Sequence, residues 1–282
     1  MIIDCHTHVM SPRIRDERRR YAEADACFAT LYANDKARLA TAEELIASMD
    51  KNGVDVSVIL NIGWTTHELC AQTNDYILEA INRYPDRLVG FGAVQPNSLK
   101  ASIEEVERLA RGGIRGIGEL RPDVQAFDLA DDEIMTPLVE VMTRHHLCLL
   151  MHASEPVGHR YPGKGSVTPD TIYPFITHHP ELNIICAHWG GGLPFYGLMP
   201  EVKQALGNVY FDSAASPFLY NPQIYRIVSE IAGSGHILFG SDYPLMEPTR
   251  LIKEIMSLGL PPETERQILG DNARHLLGLA KP

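Results

Sequence analysis

Met1-Ile2-Ile3-Asp4-Cys5-His6-Thr7-His8 opens the chain: a short apolar run that ends in two histidines one residue apart. Side chains on a strand alternate between faces, so His6 and His8 point the same way from its end. Two neutral imidazoles on one face are half of a transition-metal site. Two unrelated exposed histidines would read the same, so the pair needs support from elsewhere in the chain. Similar apolar runs recur at 54–60, 88–94, 114–120, 147–151, 183–187, 209–211 and 237–239, making eight with 2–5.

Helical signals lie between most of these runs. Thr41-Ala42-Glu43-Glu44 is a capping box, Leu45, Ile46 and Met49 follow at helical spacing, and Asn52-Gly53 ends that helix. Ile77, Leu78 and Ile81 repeat the pattern up to Pro85, and Ile103, Val106 and Leu109 repeat it up to Gly112-Gly113. Thr136-Pro137 reads as an N-cap with proline at the first helical position. Strands alternating with helices make a parallel sheet. Eight such units in 282 residues predict a single-domain (β/α)8 barrel, whose usual size is ~250 residues. An open doubly wound sheet is disfavoured, because no Gly-x-Gly-x-x-Gly follows the first run. Residues 9–40 and 153–170 are longer than ordinary loops and are expected over the C-terminal face of the barrel.

Placed on this barrel, the unusual polar residues fall at strand ends. His6 and His8 end the first strand, and Glu119 ends the fourth in Gly116-Ile117-Gly118-Glu119. His152 ends the fifth in Leu149-Leu150-Met151-His152, His188 the sixth in Ile185-Cys186-Ala187-His188, and Asp242 the eighth in Phe239-Gly240-Ser241-Asp242. Barrel active sites form at that face. Any one of these could merely satisfy a backbone group or cap a helix; five strands agreeing point to one site. His6, His8 and His152 supply nitrogen donors and Asp242 an oxygen, a set suited to a divalent metal, zinc first. A bound metal lowers the pKa of water from 15.7 to ~7. Asp242 could then bind the ion and carry a proton to the leaving group. His188 is read as catalytic, polarising the substrate carbonyl, or as a ligand to a second metal. Glu119 binds one ion or bridges two. Asp4 is either an acceptor for an imidazole N–H or a structural residue of the strand.

Several of these stretches together resemble a known family. Asp4-x-His6-x-His8, the single histidines ending strands five and six, and Gly240-Ser241-Asp242-Tyr243-Pro244 are similar to the amidohydrolase superfamily. Tyr84-Pro85-Asp86-Arg87-Leu88-Val89-Gly90-Phe91-Gly92 and the run from Gly270-Asp271-Asn272-Ala273 to Leu279 resemble its amidohydrolase-2 branch, related to aminocarboxymuconate-semialdehyde decarboxylase. The resemblance implies a metal held by His6, His8, His152 and Asp242, with His188 at the same centre. One departure stands out: Glu119 occupies the place where TatD-type hydrolases carry a bridging carboxylate, whereas the branch's decarboxylases generally do not depend on a glutamate there. That favours a hydrolase acting through metal-activated water on a C–N or C–O bond of a small carbonyl compound. The alternative is a non-oxidative decarboxylase of a small unsaturated or aromatic acid. A protein that kept the metal without catalysis, a TatD-like nuclease and a PHP-type phosphoesterase are the remaining alternatives; the last needs more ligands than can be placed.

Arg121 shares strand parity with Glu119 and is weighed as an anchor for a substrate carboxylate against a solvated loop residue. His159, Arg160 and Lys164 either line the mouth or lie at the surface. His145-His146 and His178-His179 close predicted helices, where a cation suits the dipole. Trp189 is either a pocket wall or a packed aromatic. The 36 acidic residues outnumber the 25 basic ones, a net charge of −11 that argues against nucleic acid. No membrane partner and no nucleotide cofactor are expected; a homo-oligomer remains open. Five cysteines without a C-x-x-C pair suit a reducing, cytoplasmic setting.

Overall fold

The computed structural model describes residues 1–280. Eight parallel strands run in chain order around a barrel: β1 Ile3–His8, β2 Val56–Leu60, β3 Leu88–Gly92, β4 Gly116–Leu120, β5 Cys148–Met151, β6 Ile184–Cys186, β7 Val209–Asp212 and β8 Ile237–Leu238. All eight runs read from the sequence are strands. The last is short, and the ring closes through single contacts. Cys5 N–H donates to Phe239 O at 2.8 Å, His8 N–H to Tyr243 O at 2.7 Å and Asp242 N–H to His6 O at 2.9 Å. These bonds tie the end of β8 to both N-terminal histidines.

Alternation along the strands divides the core in two. Cys5, Val58, Phe91, Cys148, Leu150 and Ile185 form one buried cluster from strands on opposite sides of the ring, and so fill the interior. Their neighbours Ile59, Leu149 and Ile184 pack outward with helix residues such as Leu45, Ile77 and Phe175. Both faces of each strand are therefore buried, which is why the runs read as continuously apolar. All five cysteines are buried and free.

The helix Ala42–Asn52 carries the capping box and ends on left-handed Gly53 at φ 70°. One boundary needs correction. The helix expected to start at Thr136-Pro137 starts at Asp132, with Asp131 as N-cap accepting from Glu133 N–H, and Pro137 lies inside it. An aspartate cap followed by two acids in the first turn is the stronger start signal. Residues 9–40 also hold more structure than a loop: the short helices Pro12–Asp16, Arg18–Ala24 and Ala26–Tyr32. They bury Met10, Ile14, Tyr21 and Phe28 with Trp64, and Phe28 stacks on Trp64 at 5.4 Å. Asp25 caps the third helix through Phe28 N–H and accepts from Thr65 N–H and Oγ1 at 2.7 Å, which pins the excursion to the segment after β2. Among the described residues no helix is long and apolar enough to cross a membrane.

Candidate metal centre

The barrel brings His6, His8, Glu119, His152, His188 and Asp242 together at the C-terminal rim. His6 Nε2 and His8 Nε2 are 3.1 Å apart. Asp242 Oδ1 lies 3.7 Å from the first and 3.5 Å from the second. Glu119 Oε2 is 3.8 Å from His8 Nε2, while its other oxygen is 2.9 Å from His152 Nδ1 and 3.5 Å from His188 Nε2. The donors thus fall into two sets, His6–His8–Glu119 and Glu119–His152–His188, sharing one carboxylate. Asp242 is the most open of them, with 14% of its side chain exposed.

Local backbone aims these groups. Asp242 and His188 both sit in the left-handed region, at φ 63° and 54°. Non-glycine residues there cost ~1–3 kcal/mol each, and such strain clusters at functional sites. After His188 the left-handed turn continues through Trp189 to Gly192. A Cβ on Gly191 would fall 2.3 Å from Ser154 O, so only glycine lets this turn lie against the segment after β5. Trp189 is fully buried, donating Nε1–H to Ser216 Oγ at 2.9 Å and packing edge-on to Tyr225; it is a packed aromatic.

Hydrogen bonds on the far ring nitrogens fix the tautomers. His6 Nδ1–H donates to Asp212 Oδ2 at 2.8 Å, and His188 Nδ1–H to Ala214 O at 3.1 Å. In the neutral rings both Nε2 lone pairs then face carboxylate oxygens, and that of His6 also faces His8 Nε2. Acceptors facing acceptors repel unless a cation lies between them, so the donor set fits a divalent metal. Without an ion, protons take that place. Burial opposes charge on His6, yet Asp212, Glu119 and Asp242 hold its pKa up at about 10. His188 is likewise opposed by burial and held at about 9, chiefly by Glu119 and then Asp242. Burial also opposes ionisation of Glu119, but His152, His188 and His6 keep its pKa well below the carboxylate range. His8 is pushed down by burial and by His6.

A pH dependence follows. At pH 7, below both raised values, the metal-free protein carries protons on His6 and His188, and metal binding must displace them. Adding a dication in weak buffer at pH 7 is expected to release about two protons per chain. The release should fall as pH rises through about 9 and then about 10, as first His188 and then His6 becomes neutral without the metal. An indicator-dye titration measures it.

Asp212, at the end of β7, was missed by the sequence reading. It is fully buried, orients His6 through Oδ2 and accepts His188 N–H at 2.9 Å and Ala214 N–H at 3.1 Å through Oδ1. It is therefore the imidazole acceptor that Asp4 was considered for. Asp4 instead accepts from Ser241 N–H at 2.9 Å and Ser241 Oγ at 2.6 Å, fixing the residue before Asp242. Asp212→Asn should weaken metal affinity about 10–100-fold without changing the fold, measured by competition with a chelating dye.

Arg121 is not a solvated loop residue. It is 2% exposed, and its Nη2 donates to Asp123 Oδ2 at 3.2 Å and Gly163 O at 2.9 Å. Nε and Nη1 are buried without a partner. After burial, the guanidinium is the main influence pushing the His152 pKa down. His159 and Arg160 are exposed, and Lys164 is spent on Val157 O and His159 O.

Fold and site together define a (β/α)8 barrel enzyme with imidazole and carboxylate donors gathered at one rim. The amidohydrolase family model matches residues 3–279, and the chain belongs to that family. It is 22% identical, over 98% of its length and 91% of the relative's, to 2-amino-3-carboxymuconate-6-semialdehyde decarboxylase of Dictyostelium discoideum. The crystal structure of 5-carboxyvanillate decarboxylase from Sphingomonas paucimobilis superposes with a TM-score of 0.83 at 19% identity, covering 99% of both chains. The corresponding enzyme of Novosphingobium aromaticivorans, complexed with manganese and 4-hydroxy-3-methoxy-5-nitrobenzoic acid, gives 0.81 at 20% identity over 99% and 96%. These relatives are decarboxylases, which overturns the expectation of a hydrolase. Glu119 carried that expectation, and a carboxylate among metal donors describes the ion's surroundings rather than the reaction.

Proposed function

We propose that the protein is a metal-dependent, non-oxidative decarboxylase of a small unsaturated or aromatic acid. The full-length likeness to 2-amino-3-carboxymuconate-6-semialdehyde decarboxylase carries this reading, and the rim of donors supports it. The nitrogen-rich set suits zinc; manganese, found in the Novosphingobium structure, is the alternative to test. His6, His8, Glu119 and Asp242 would hold one ion; the second set, Glu119, His152 and His188, supports a second sharing Glu119. A bound dication supplies electrostatic stabilisation and a template for the substrate's oxygens.

The remaining work falls to side chains. Losing carbon dioxide breaks a C–C bond and leaves its electron pair on carbon, which must take up a proton. Asp242, the most open of the six, holds that proton. His188, set by Ala214 O, presents Nε2 to the substrate carboxylate. Arg121 offers its unpartnered Nε and Nη1 to the substrate's anionic end. Arg121→Met should raise KM ~10–100-fold, the worth of one charged hydrogen bond, with kcat changed much less; steady-state kinetics reads the split. Carbon dioxide release from a panel of hydroxybenzoic and unsaturated dicarboxylic acids tests the reaction. Turnover that disappears with chelator and returns with zinc or manganese is expected. A metal-loaded protein that releases no carbon dioxide from any of them contradicts the reading.

A further inference from the structure

Away from the rim, Asp132, His178 and His179 bring one ligand atom each within 4.8 Å of the others. They come from neighbouring barrel units. Asp132 begins the helix Asp132–Arg144, His178 ends the helix Pro169–His178, and His179 follows it. A pocket of about 290 Å³ lies beside them, lined also by Asp128 and Asp170 and by no lysine or arginine.

His179 is the buried member of the three: it is 4% exposed, with its Nδ1 3.8 Å from Glu181 Oε1 and its ring lining the pocket. The helix-end reading made from the sequence does not account for it, because burial and the adjacent His178 push its pKa down. A neutral ring brings a lone pair rather than a charge to the helix terminus. His178 Nε2 lies 3.5 Å from Asp132 Oδ1, and both side chains are more than half exposed and free to swing.

We propose that Asp132, His178 and His179 form a second, peripheral site for a first-row transition-metal dication. Two imidazoles and one carboxylate select zinc, nickel, cobalt or copper over magnesium or calcium, which prefer all-oxygen shells. Three protein ligands leave a position for water. Drawing the donors to bonds of ~2.0–2.2 Å needs only rotation of the two exposed side chains toward the buried one. The ion would staple the start of one helix to the end of the next. Nothing in this site depends on the reaction at the rim.

Zinc is the probe. Full-length protein is dialysed against micromolar zinc until both classes of site equilibrate, and metal per chain is measured for wild type, His178→Gln and Asp132→Asn. Wild type should hold one equivalent more than either variant, and its melting temperature should rise further over the zinc range that fills the extra site. Rim activity should be equal in all three. Equal zinc content in wild type and both variants overturns the proposal, as does an extra equivalent that survives both substitutions.

Discussion

His8→Ala is expected to lose the rim metal and at least about 1000-fold of the decarboxylation rate. His8 Nε2 lies 3.1 Å from His6 Nε2, 3.5 Å from Asp242 Oδ1 and 3.8 Å from Glu119 Oε2, so it stands within 4 Å of three other donors. Lewis-acid stabilisation is worth several kcal/mol, and each 1.36 kcal/mol is tenfold in rate; ~4 kcal/mol gives the stated factor. The fold should persist, because the interior and outer clusters leave His8 out. Metal analysis beside a circular dichroism spectrum separates the two effects. Full metal content with wild-type kcat would remove His8 from the centre.

Asp242→Asn should keep its metal and lose ~100- to 10,000-fold in kcat, the usual worth of a positioned proton donor. Asparagine keeps Oδ1 as an acceptor for the ion but holds no transferable proton. Measured at saturating metal, kcat should fall while KM changes little. If kcat stays within a few-fold of wild type at full metal occupancy, the proton belongs to another group, and His188 is the next to examine.

Strand ends were legible because each apolar run stops at a residue that the interior would not otherwise tolerate. His6, Glu119, His152, His188 and Asp242 all appear that way, and the barrel brings them together. Asp212 obeys the same rule at the end of Val209–Asp212, but it had no motif around it and was passed over. Its partner His6 lies 206 residues away, a pairing that only the closed ring makes visible. The helices within 9–40 are five to seven residues long, too short for a periodic signal. Arg121 reads from the sequence as either a carboxylate anchor or a solvated loop residue, because strand parity cannot show that Gly163 and Asp123 close over it. The reaction was the least legible feature. Donors that ready water for attack also hold a carboxylate that will leave, so Glu119 could not decide between the two; the likeness to decarboxylases overturned the hydrolase expectation and supports the proposed reaction.

Anomalous diffraction from crystals grown with manganese tests the centre most directly. A peak is expected at bonding distance from His6 Nε2, His8 Nε2 and Asp242 Oδ1, with a further peak between Glu119, His152 and His188 if the second set is filled. An ordered rim with no anomalous signal near the N-terminal histidines would contradict the account.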